Sequence, residues 1–246
     1  MQLPKKINPD RVKDAIVEVK YYSEIPFEVL VGFIFKSLDD ESFTYLNRPP
    51  ALNIPQVSGK LATLSLGNQY IFTTEKIKLQ LQPNSLIFNI LGSSSYIGWQ
   101  DYFPEIEKVL SQIAGNGIVK YYNRVGVRFI SEYPDIDLKD CIKFNFTFGL
   151  PKVDSKTYSF KSEFELNQKR VILNLNNRLP ILRNKEEPDS NFISRIDIDI
   201  VKTEIEVADD KFSELLEVID SAHEDEKYIF FNILKSEFLK TLNPEY

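Results

Sequence analysis

The sequence predicts an α+β protein. Two β-α-β4-α units, residues 1–117 and 118–246, join into one curved antiparallel sheet packed on one side by helices. Three observations carry this expectation. Most segments alternate apolar and polar residues with a period of two, the pattern of a strand with one dry and one wet side. Three longer stretches switch to helical spacing. The segment VEVKYYSEIP, Val17 to Pro26, returns as VGVRFISEYP, Val125 to Pro134, at an offset of 108 residues.

In DAIVEVKYY, Ile16, Glu18 and Lys20 alternate with Val17, Val19 and Tyr21, so the first element reads as a strand. PFEVLVGFIFKSL, Pro26 to Leu38, starts with proline and is apolar on all sides, which predicts a largely buried helix. KLATLSL, QYIFTTE, KIKLQLQ and SLIFNIL read as four strands joined by short connections rich in turn formers. From Gly98 to Ala114, Trp99, Tyr102, Phe103, Ile106, Val109, Leu110 and Ile113 recur at helical spacing, and GNG ends the run.

The second half repeats this order. IVKYYNRVGVRFISEY reads as a long strand, Asp135 to Asp140 as a helical turn, and KFNFTFG, TYSFKSEFEL, RVILNLNN and SRIDIDIVKTEIE as four more strands. From Asp209, an apolar stripe through Phe212, Leu216, Ile219, His223, Phe230 and Leu234 predicts a long helix that packs rather than trails. SEFLKTLNPEY adds a short helix with serine as its cap. This strand order is that of the saddle-shaped fold of the TATA-binding protein, a resemblance of architecture that implies no activity.

Composition narrows the function. The net charge of −6, with Lys and Arg scattered among the acids, disfavours nonspecific nucleic-acid binding, which needs a clustered positive face. A single cysteine, Cys141, fits a reducing compartment. With neither an apolar leader nor a membrane-length apolar run, a cytoplasmic protein is expected. His223 is the only histidine, so no His-rich metal site is expected, and a packed histidine bonded to backbone or a neighbouring acid is the simpler reading. No glycine-rich phosphate loop occurs. The expectation is a protein without cofactor, metal or recognisable catalytic residues.

The helix GWQDYFPEIEKVL, the strand RVGVRFI, the strand IDIDI, the helix with DSAH and IFFNIL, and the ending LKTLNPEY follow one another in this order. Over nearly the whole chain this resembles a family of sporadically distributed, uncharacterised prokaryotic proteins of similar size. The sharpest piece is Arg124, Gly126, Arg128 and Phe129. Ser131 departs from the asparagine usual in the family. The resemblance implies bacterial origin and patchy inheritance, common among defence-linked and toxin–antitoxin genes, and it brings no activity.

The candidate site follows from the same strand. Arg124 and Arg128 share one face, about 13 Å apart by strand rise, with Gly126 leaving space between them. Two such forks suit an anion or an acidic partner segment, and would then stand unpaired or loosely paired. The alternative is cross-strand salt bridges to Asp197 and Asp199. Glu18 and Lys20 are the first-half counterparts of Gly126 and Arg128 and fall on the same wet face. The expected function is a noncatalytic component that binds a protein partner. A small-ligand binder, with its pocket between sheet and C-terminal helix, is the alternative.

Overall fold

The structure, a computed structural model, describes residues 3–38, 44–48, 69–90, 96–144, 157–180 and 191–246. The first half runs β1 (Val12–Tyr22), α1 (Phe27–Ser37), β2 (Thr44–Arg48), β3 (Gln69–Thr73), β4 (Ile77–Gln82), β5 (Ser85–Ile90) and α2 (Trp99–Ile113). The second runs β6 (Tyr121–Pro134), α3 (Leu138–Cys141), β7 (Tyr158–Leu166), β8 (Lys169–Pro180), β9 (Phe192–Lys202), β10 (Val207–Ala208), α4 (Phe212–Ile233) and α5 (Ser236–Thr241). The protein is of mixed α+β class, with one antiparallel sheet in the order β2-β3-β4-β5-β1-β6-β9-β8-β7; β10 adds a short pairing to β6.

Alternation in the sequence decides the two faces. On β1, Ala15, Val17, Val19 and Tyr21 are buried while Ile16, Glu18 and Lys20 point the other way. The buried row continues through Leu86 and Phe88 on β5, Val125, Val127 and Phe129 on β6, and Ile196, Ile198 and Ile200 on β9. The helices cover this side. α4 lies across β6 and β9, with Leu215, Ile219, Ala222, Ile229 and Phe230 buried beneath it. α2 lies beside α4 and is fastened to β1 by the Tyr102 hydroxyl, which donates to the Ala15 carbonyl at 3.2 Å. Burying each large apolar side chain is worth about 1.5–3 kcal/mol, so α4 is part of the core, as its stripe predicts.

β1 and β6 meet at the middle of the sheet. Ile16 faces Arg128, Val17 faces Val127, Glu18 faces Gly126, Val19 faces Val125 and Lys20 faces Arg124. Short turns set the register of the hairpins. Asn84, between β4 and β5, takes the left-handed conformation at φ 63°, which asparagine tolerates. Gly115 ends α2 at φ 76°, as the GNG stop predicts.

Several expectations need correction. α1 is not largely buried: Leu30, Val31 and Ile34 face inward, but Val29, Phe33 and Phe35 are each about half exposed. An all-apolar helix at the rim of a sheet has only one side to bury. The strand Thr44–Arg48 was not expected, because five residues with one clear alternation carry little signal. The expected strands KLATLSL and, beyond Phe144, KFNFTFG lie outside the described residues. The strand expected to run to Glu206 ends at Lys202, and Glu204 turns left-handed at φ 58° before β10. Ser236 is the first residue of α5, and Lys235 holds the cap position. No helix among the described residues is long and apolar enough to cross a membrane.

Candidate functional site

The side of the sheet opposite the helices is open among the described residues, and the singled-out side chains gather there. Glu18 lies directly across from Gly126, and Arg124 sits two residues along β6 on the same side. The Arg124 guanidinium folds over Gly126 and pairs with the Glu18 carboxylate. A Cβ at position 126 would meet Arg124 Nη2 at 3.6 Å. Gly126 is therefore the floor on which Arg124 lies. Ser85, on β5, donates to the other oxygen of Glu18 at 3.0 Å.

Arg128 faces Asp199 in register but reaches diagonally to Asp197. Its Nε donates to Asp197 Oδ1 at 2.8 Å and its Nη2 to Oδ2 at 2.7 Å, the parallel fork that arginine makes with carboxylate. Asn174 Nδ2 donates to Oδ2 as well, at 3.3 Å. The two ends differ in burial: the Arg128 side chain is 42% exposed and that of Asp197 7%. Asp199, left beside this pair, has its carboxyl raised above the usual carboxylate range by burial, while Arg128 and Arg124 pull it back. Lys20 is exposed across from Arg124.

The arginines are thus paired, not free. The expectation of loosely held guanidiniums gives way to cross-strand ion pairs, because the alternating acids of IDIDI and Glu18 project from neighbouring strands onto the same face. The structure brings Glu18, Gly126 and Arg124 together and places Lys20 beside them; Arg128 belongs to a separate group with Asp197 and Asn174. Ser85 and Asn174 were missed. Only the register of β5 and β8 reveals them, and a single polar residue on an alternating strand carries no such signal.

A second polar group lies on the covered side. His223 is buried as expected, with its ring stacked on Trp99 at 4.0 Å between centroids and inclined to Phe129 at 5.3 Å. At Nδ1 the expected hydrogen bond is not made: this atom has no partner among the described residues and stands 3.9 Å from Glu226 Oε2. Burial drives the two groups toward their neutral forms, His223 down to about 3 and Glu226 up to about 8, so at neutral pH this is not an ion pair. Cys141 is buried, and its thiol is pushed up to about 12, first by burial and then by Asp140 and Asp137, which makes it unreactive.

Open surface depressions among the described residues include two at the rims of the sheet. One is bounded by Glu163, Gln168, Arg170, Lys202 and Glu204 at the end of β7, β8 and β9, the other by Thr44, Thr74, Lys76, Glu105 and Lys108. Neither lies between sheet and α4. Among the described residues, no group of three or more His, Cys, Asp or Glu is placed to hold a metal ion. No protein-family model matches the chain, and no curated protein matches it.

Proposed function

We propose that this protein is a noncatalytic component that binds a protein partner through the open face of its sheet. The observation that carries this reading is that no described helix covers that face anywhere along nine strands. Strands about 4.8 Å apart make it roughly 40 Å wide, and six residues of strand make it about 20 Å long. The product, about 800 Å², matches one partner's share of a standard protein interface. The surface has an interface's composition: Ile16, Ile87, Ile130 and Ile172 are half-buried, amides such as Gln80 and Asn174 lie among them, and Arg124 and Arg128 keep outward donors beyond their ion pairs.

We infer that a duplication underlies this face. The chain is a duplicated β-α-β4-α unit whose copies, residues 1–117 and 118–246, form a saddle-like sheet. Its support is the central register. Residues 108 apart are repeat counterparts, and Glu18 pairs directly with its own counterpart, Gly126. Val17 pairs with Val127 and Val19 with Val125, so exchanging the two copies maps each pair onto the other, as a twofold axis through Glu18 and Gly126 requires. Bacterial origin and a setting in defence or toxin neutralisation rest on the family resemblance alone.

The test is affinity capture from the encoding organism with three baits: wild type, an open-face variant Lys20→Glu with Gln80→Glu, and a helix-side variant Glu224→Lys. A partner held by wild type and by the helix-side variant, and lost by the open-face variant, is the expected result. Loss by the helix-side variant alone moves the docking surface to α4 and ends the proposal.

A further inference from the structure

Beneath α4, two buried polar atoms lack a hydrogen-bond partner among the described residues, and Glu226 acts on both. They are His223 Nδ1 and the Tyr96 hydroxyl. Phe129 links them, touching Tyr96 edge-on at 5.6 Å and His223 at 5.3 Å. The Glu226 carboxyl stands 3.9 Å from His223 Nδ1 and acts electrostatically on Tyr96, as does Asp10. The side chains of His223 and Glu226 are 9% and 7% exposed. A buried donor or acceptor left without a partner is costly, and folded proteins satisfy such groups with protein, ordered water or ligand.

Geometry restricts what can serve. Trp99 stacks parallel to the imidazole, 18° between planes, and closes one face of the ring. A partner for Nδ1 must therefore arrive in the ring plane. Two hydrogen bonds of about 2.8 Å meeting at roughly 90° span the 3.9 Å between Nδ1 and Oε2. A single non-hydrogen atom, free or at the end of a group, can bridge the two by hydrogen bonds.

We propose that His223 Nδ1, the Glu226 carboxyl and the Tyr96 hydroxyl together bind a water-sized, uncharged group that both donates and accepts hydrogen bonds. The surroundings select against an ion. His223 is neutral at pH 7, and Glu226 keeps its proton, against the pull of Lys227 and with the added repulsion of Asp10 and Glu224. A protonated carboxyl donates, a neutral imidazole nitrogen accepts or donates according to its tautomer, and a phenol does both. Solvent water and the terminal hydroxyl or amine of a small molecule share this chemistry. The site lies between β6 and α4, where the sequence places the alternative small-ligand pocket, and it is independent of the open face: loss of partner capture leaves it untouched.

Because His223 is the only histidine, ¹⁵N-labelled histidine gives a single imidazole signal set. The experiment compares wild type with Tyr96→Phe, each as purified and after unfolding in denaturant and refolding into clean buffer. The expected result is a hydrogen-bonded Nδ1 whose resonance moves in Tyr96→Phe, with Tm lowered by about 2–4 °C, the size of one lost hydrogen bond in a chain of this length. If refolded protein behaves as the purified protein does, the guest is water. If the signal returns only when the low-mass fraction of the lysate is added back, it is a small molecule. An Nδ1 resonance at the position of a free imidazole, with Tyr96→Phe at unchanged or raised Tm, overturns the proposal, since removing a partnerless buried hydroxyl relieves a cost.

Discussion

On the open face, Arg128 keeps its charge because Asp197 meets it with hydrogen bonds of 2.8 and 2.7 Å; beneath α4, His223 and Glu226 stand 3.9 Å apart and burial holds each in its neutral form. Both pairings join a base to an acid, and both are cut off from water on at least one side. Contact and access make the difference. The outer half of Arg128 is wet, so the pair offsets the desolvation of Asp197 with direct bonds and continued hydration. His223 and Glu226 have no direct bond between them and are almost closed off from bulk solvent, and giving up charge is the cheaper outcome. One sheet thus carries an ionic surface on one side and an uncharged polar cluster on the other. The first suits a docking partner, the second a small neutral guest.

The two regions should differ most strongly in their response to pH. Glu226 has its folded value raised from 4.5 to about 8, so its stabilising share is complete below pH 4.5 and is lost as pH rises through about 8. His223 has its value lowered from 6.5 to about 3, so its share is complete above pH 6.5 and is lost as pH falls toward 3. These two groups together place maximal stability between about pH 4.5 and 6.5. Thermal melts from pH 4 to 9 check this. Glu226→Gln should flatten the alkaline fall relative to wild type, and His223→Gln the acid one. Parallel curves for wild type and Glu226→Gln between pH 5 and 8 would mean that Glu226 ionises at its ordinary value in the folded protein and that the contrast between the two regions is false.

A smaller effect is expected from the open face. Arg128→Ala leaves Asp197 almost buried, with Asn174 as its remaining side-chain partner among the described residues, at a cost of about 1–3 kcal/mol. The open side of the pair keeps this below the loss seen for a fully buried one. Arg128→Ala with Asp197→Ala should recover part of the loss, a coupling that denaturant unfolding of the two single variants and the double variant would show. An additive double variant would mean that the fork contributes nothing beyond its separate residues.

The sheet was legible because its signal is local. KIKLQLQ alternates without a break, and in β4 the buried and half-buried residues follow that alternation. α2 and α4 were legible for the same reason at a helical period. The exposure of α1 was not, because apolar residues on every side of a helix do not say which side the sheet will cover. The face shared by Glu18, Gly126 and Arg124 could be read from parity along two strands, but their contact could not. It depends on the register between β1 and β6, which tertiary packing fixes. The polar cluster beneath α4 was the least visible part. His223 and Glu226 are three residues apart on one helix, yet Tyr96 and Phe129 are brought to them only by folding, and a lone histidine on an apolar stripe reads as core.

The claim that the open face receives a protein partner is tested most directly by site-specific photocrosslinking in the encoding organism. A photoreactive phenylalanine analogue is placed at Gln80, on the open face of β4, or at Glu224, on the exposed side of α4. A discrete crosslinked protein is expected from position 80 and none from position 224. A discrete product from position 224, with position 80 silent at equal expression, would contradict the claim.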